Sequence, residues 1–149
     1  MLGELTPAET EDVLRNGVIG RVGCISDGRP YVVPVCYAYE AGYIYGHSVD
    51  GKKLRALRAN PQVCFEVEEV DDLSNWRSVI AWGVAEELTG AAAEDGMQLL
   101  LERVLPKLPA GSTSAHPSPQ GQHRLASVYR VHLHDRTGRF ESQTGSLAS

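Results

Sequence analysis

The chain has 149 residues, a length that fits one domain with its own core. It is 42% apolar and 22% charged with a net charge of −5, which argues against a nucleic-acid partner, whose affinity rests on neutralising phosphates. No apolar run approaches the length of a membrane-spanning helix, and the acidic start MLGELTPAETED lacks a signal-peptide pattern, so no membrane association and a cytoplasmic location are expected.

Thr6-Pro7 fits a helix N-cap followed by proline at the first helical position, and Glu9 stands where a capping box needs it. Val13 and Leu14 give that helix an apolar side, and Asn16-Gly17 ends it. Residues 18–26 (VIGRVGCIS) read as a strand. Asp27-Gly28 is a hairpin signal, and residues 31–39 (YVVPVCYAY) return. Pro34 sits in the middle of that strand, where it cannot donate to a ladder, so it belongs on an edge or beside a bulge. A planar ligand lying against it is the functional alternative to an ordinary edge proline.

The stretch 43–66 (YIYGHSVDGKKLRALRANPQVCFE) organises the rest. Tyr43, Ile44 and Tyr45 are strand formers, and a polar turn follows. Residues 52–59 carry Leu54 and Leu57 on one helical face, and Asn60-Pro61 stops the helix. Val63, Phe65 and Val67 then alternate with Cys64, Glu66 and Glu68 as a half-buried strand. The helix start has unpaired N–H groups, a positive dipole end and the pair Lys52-Lys53, a combination suited to a phosphate. Asp50 fits an N-cap but would oppose a phosphate, so Ser48 is the better contact. The bland alternative is a lysine pair on a solvated helix face.

Residues 76–88 (WRSVIAWGVAEEL) form a long strand, apolar on both faces in its middle, hence central or at an interface. Thr89 can cap a helix over 91–105, with Met97, Leu100, Leu101, Val104 and Leu105 as a core stripe. Residues 106–123 are a Pro-, Ser-, Gly- and Gln-rich loop holding His116 and His123. Residues 127–134 (SVYRVHLH) are the last strand, with Tyr129, Val131 and Leu133 on one face and Arg130, His132 and His134 on a solvated one. The chain then trails off, and 141–149 is expected to fray. Cys24, Cys36 and Cys64 lie far apart in strands and read as reduced core or near-core thiols; no metal site is expected. The whole is mainly β: an antiparallel barrel of about six strands with three helices outside it, in a single domain over 1–149.

DGRPYVVPVCY, YIYGHSVDGKKLRALRANPQVCFEVE and WRSVIAWGVAEEL, in this order, resemble the pyridoxamine 5′-phosphate oxidase-like family of FMN-binding split β-barrels. The resemblance covers residues 6–88, with a weaker echo at 128–138, and is closest to the branch that includes nitroimidazole-resistance proteins. It implies FMN held between the subunits of a homodimer. Val33, Pro34, Val35, Cys36 and Tyr37 would flank the isoalloxazine and ribityl chain, and Gly46 and His47 would continue that wall. Lys52 and Lys53 would hold the phosphate with Ser48, while Ser78 would approach from the partner subunit with Trp76 and Arg77 near it. The true oxidases have an arginine where this chain has Val33, and their C-terminal segment is not recognisable here, so pyridoxamine phosphate oxidation is not expected. The expected function is a flavin-dependent oxidoreductase acting on a small molecule, with no catalytic acid or base assigned. The alternatives are a flavin store or sensor without turnover, or a split barrel using haem or a deazaflavin.

Overall fold

The computed structural model describes residues 1–49, 51–109 and 127–143. Thr6 caps the first helix, α1 (Pro7–Asn16), as expected: its side chain accepts from the Glu9 N–H at 3.2 Å, and Glu9 accepts from the Thr6 N–H at 2.9 Å. The hairpin β2 (Ile19–Ser26) to β3 (Arg29–Cys36) turns through Asp27 and Gly28, both at positive φ. β4 (Ala38–Glu40) and β5 (Tyr43–Ser48) form the next hairpin, followed by α2 (Lys52–Ala59). β6 (Gln62–Asp72) and β7 (Asn75–Glu87) are a long antiparallel pair, and α3 (Gly90–Val104) precedes β8 (Ser127–Glu141).

The strand order is β3-β2-β6-β7-β8-β5-β4, all antiparallel. Its two outermost strands, β3 and β4, are consecutive in the chain and separated only by Tyr37. A sheet whose opposite edges are joined by one residue must curl on itself, which gives the barrel shape without a closing ladder. Tyr37 is the hinge of that seam. Its N–H bonds Val18 O at 3.0 Å, its hydroxyl donates to Leu14 O at 2.7 Å, and its ring meets Phe65 edge-on at 4.7 Å. Pro34 lies on the edge strand, where its missing N–H is tolerated. The core is the inner face: Val22, Ile44, Phe65, Val79 and Val131 are fully buried, and α1 and α2 add Val13, Leu14 and Leu54.

The structure differs from the sequence expectation in five places. Among the described residues the strands number eight, because residues 31–39 break at Tyr37 and a short β1 (Leu2–Glu4) pairs with β8. β8 does not end at His134 but runs on to Glu141. A bulge between β7 and β8 opposes Trp82 to Asp135 and Gly83 to Leu133, leaving His134 over. Before the bulge Tyr129, Val131 and Leu133 are buried at odd positions, whereas beyond it the buried position is an even one, Gly138. An alternation read from sequence stops at such a step. On α3, Leu100 is buried but Leu101 is exposed, as is Leu105 just past the helix end, so the core stripe is narrower than its periodicity suggests. Cys36 is exposed, because β3 turns it outward; Cys24 is buried, Cys64 half-buried, and all three are free thiols. The expected loop 106–123 lies outside the described residues from 110 onward, with His116 and His123; so do Asp50 and the tail beyond 143. No helix among the described residues is long and apolar enough to cross a membrane.

Candidate functional site

The start of α2 is positively charged and lacks a side-chain cap from its N-cap residue, Gly51. Its first turn contains no acidic residue, so the dipole end and the lysines add. Lys52 is exposed, with Nζ 4.6 Å from the centre of the Tyr31 ring. Lys53 is half-buried, with Nζ 5.2 Å from the centre of the Tyr129 ring. Among the described residues the ion pairs are all made by arginines, and neither lysine has a carboxylate within reach. Burial lowers the pKa of Lys53, partly offset by the nearby Cys24 thiol. An ammonium group held out of water without a counter-ion costs stability unless something anionic joins it.

Tyr129 carries a second unmet demand. Its side chain is fully buried, and its hydroxyl is, among the described residues, the one buried side-chain polar atom without a hydrogen-bond partner. Burial raises its pKa, so it stays a neutral donor. It abuts Gly46, where an added Cβ would stand 2.5 Å from the hydroxyl oxygen. Gly46 thus admits the Tyr129 ring, which fills the space that a side chain there would take. His47, next along β5, is exposed at its surface, and desolvation of the ring, then the Lys53 charge, lowers its pKa. Ser48 sits at the end of β5 with its Oγ donating to Val49 O at 3.0 Å.

The structure gathers some of the expected site residues and separates others. Lys52, Lys53, Gly46, His47 and Ser48 lie at the α2 end of the barrel. Val33 is half-buried and packs against the core; Pro34 and Cys36 point outward from the edge strand. Val35 and Tyr37 are core side chains, 6% and 1% exposed, so only their backbone groups are open to a ligand. Ser78 and Trp76 lie at the far end of β7: Tyr129 is opposite Glu87, whereas Ser78 is opposite Glu68 and Arg139. Trp76 Nε1–H donates to Glu141 at 3.2 Å, and Arg77 is held by Glu69 at 2.6 Å.

Two features of the site were not foreseen from sequence. One is Tyr129, read there only as an inward strand residue. The other is a charged cluster on the outer face of the sheet. Arg21 Nη1 donates to Glu66 at 3.1 Å and to both oxygens of Glu68 at 2.9 and 3.0 Å. The same face carries a groove of about 590 Å³ lined in part by Val32, Cys64 and Trp82. Ile25, Val32, Ile80, Trp82 and Val84 leave this face exposed and apolar.

Residues 6–140 match the family model described as pyridoxamine 5′-phosphate oxidase. The structure of an FAD-binding protein from Mesorhizobium loti matches with a TM-score of 0.79 at 29% identity, over 95% of this chain and 99% of that one. A Bacteroides thetaiotaomicron structure assigned to 5-nitroimidazole antibiotic resistance matches with a TM-score of 0.73 at 20% identity, over 94% of this chain and 87% of that one, which speaks to the fold. An uncharacterized protein of Rhizobium meliloti is 34% identical over 80 residues, 54% of this chain. The match spans 53% of that curated relative, about half its length.

Proposed function

The chain belongs to the pyridoxamine 5′-phosphate oxidase family, and from that premise we propose that it is an FMN-binding oxidoreductase, a homodimer acting on a small molecule. The observation that carries this reading is Lys53, without a carboxylate partner among the described residues, over the ring of Tyr129, whose hydroxyl is orphaned, at a helix start with no side-chain cap from Gly51. A phosphate monoester answers all three demands: charge for the lysine, an acceptor for the hydroxyl, and acceptors for the first-turn N–H groups. Lys52 and Ser48 would add contacts at the rim. The flavin would supply reversible two-electron chemistry. The chain's own part is to hold the phosphate, to present Pro34 and Cys36 as an outward wall, and to limit water beside it. The separation of Ser78 from Lys53 within one chain favours a dimer in which the partner brings Ser78 to the ring. The exposed apolar face around Trp82 is the surface such a dimer would cover. Three free thiols suit a reducing, cytoplasmic setting.

A second reading, FAD in the same cleft, is favoured by the FAD-binding neighbour from Mesorhizobium loti. The protein is expected to be yellow as purified, to release FMN on heating, and to melt at a higher temperature with FMN added. Release of FAD would select the second reading. A colourless protein whose melting is unmoved by either flavin would end both. NAD(P)H-driven reduction of an added electron acceptor separates an enzyme from a flavin store.

A further inference from the structure

We propose that Arg21, Glu66 and Glu68 form a proton-binding site that links occupancy of the sheet's outer face to pH, so that a flavin laid against Pro34 and Cys36 binds with uptake of a proton at Glu66. The inference rests on the flavin reading above and adds a regulation to that site.

Glu66 and Glu68 stand two apart on β6 and so share one face. Both draw on a single guanidinium nitrogen of Arg21. Two carboxylates against one cation leave a net negative charge on a half-buried surface: the two side chains are 29% and 31% exposed. Their neighbours on that face do not neutralise it. The row through Glu66 runs Pro34, Arg21, Glu66, Ile80, Thr137 across β3, β2, β6, β7 and β8. The row through Glu68 continues into Ser78 and then Arg139. Cys64 is the flanking thiol on β6, Cys36 faces outward from β3, and Arg77 is tied to Glu69. Arg21 is therefore the one cation, among the described residues, in contact with the pair. Such a pair titrates as a unit, and one member keeps its proton to higher pH. Burial, then the Glu68 carboxylate, pushes the Glu66 carboxyl up to about 7.

Pro34 stands two strands from Glu66, roughly 10 Å across the sheet, a span an isoalloxazine can cover. Covering this face strips water from the cluster and strengthens the preference for the neutral acid. The complex then holds more protons than the free protein, and affinity rises as pH falls. Each unit by which covering raises the Glu66 pKa is worth about tenfold in affinity between the two protonation limits.

Two measurements test this. In the ligand-free protein, NMR titration of the side-chain carboxyls should find Glu66 changing state above pH 6. Because its folded pKa is raised, the proton stabilises the fold below that range and is lost as pH rises through about 7. Melting of Glu66→Gln should therefore gain on the native protein from pH 5 to pH 8. In the second, FMN is titrated calorimetrically at pH 7.5 in buffers of different ionisation enthalpy. The native protein should take up a fraction of a proton per FMN more than Glu66→Gln does. Lys53 and His47 are intact in both, so their own pH dependence cancels in the comparison. Glu68→Gln, which removes the competing carboxylate and leaves Glu66 to Arg21, should reduce the excess uptake, and serves if Glu66→Gln fails to fold. A Glu66 that titrates in the ordinary carboxylate range, or equal proton uptake by all three proteins, overturns the inference while leaving flavin binding untouched. If none of the three binds FMN, the flavin reading falls and the coupling with it.

Discussion

Replacing Lys53 by methionine is expected to weaken FMN binding about 30- to 150-fold, a loss of about 2–3 kcal/mol, without lowering the stability of the ligand-free protein. The two effects have opposite causes. In the absence of an anion, Lys53 is half-buried, faces the Tyr129 ring and has its pKa lowered by burial. Methionine keeps the stem and removes that cost. With a phosphate present, the same burial excludes water and strengthens the charge-assisted contact. Lys52→Met should cost only a few-fold, because its ammonium is exposed and screened. Tyr129→Phe belongs to the same test. Deleting an unsatisfied buried hydroxyl should leave melting unchanged or raised, yet lower FMN affinity about fivefold or more if that hydroxyl donates to the phosphate. Fluorescence titration of FMN with the three variants, beside their melting curves, gives both readouts. Equal affinity in the native protein and Lys53→Met would remove the phosphate from this helix start. A Lys53→Met protein that merely melts early would make the lysine a structural residue.

The second large effect is on folding. Gly83→Ala is expected to destabilise the protein by about 3 kcal/mol, seen as a lower urea midpoint at unchanged slope. Gly83 sits at the β7–β8 bulge, where an added Cβ would overlap the His132 carbonyl oxygen and stand 2.7 Å from Val131 Cγ1. A carbonyl in a ladder cannot swing aside as the end of a side chain can. The bulge also decides which residues of β8 face in, since a one-residue slip turns every side chain to the other face. Straightening it would set Tyr129, Val131 and Leu133 against the register of Gly138. The lesion should therefore reach Tyr129 and flavin affinity although Gly83 touches neither. A Gly83→Ala protein with native midpoint would show that β8 can yield there.

Local chemistry was well recorded in the chain. The Thr6 box, the Asn60-Pro61 stop and the alternation of Val63, Phe65 and Val67 each depend on neighbours within a few residues, and each is where the sequence places it. The lysines at the α2 start were legible for the same reason. What escaped depends on register between distant strands. Residues 136–141 are mostly polar and carry no strand signal of their own; pairing with β1 and β7 makes them a strand. Arg21 lies 45 and 47 residues from its two carboxylates, and no spacing rule joins them. Tyr129 was read correctly as inward, but the loneliness of its hydroxyl is a property of what surrounds it. Cys36 was misplaced because a strand residue at an edge can be apolar in company and still face water.

β8 is flanked by β7 on one side and by β5 and β1 on the other. A ribosome must therefore finish residue 141 before three earlier strands can find their partner. Until then β7, β5 and β1 each present an open backbone edge, and non-local pairing of this kind is slow. The nascent chain is exposed to intermolecular pairing for most of its synthesis. A stop codon or protease cut within 127–141 should accordingly produce insoluble material, not a shortened barrel.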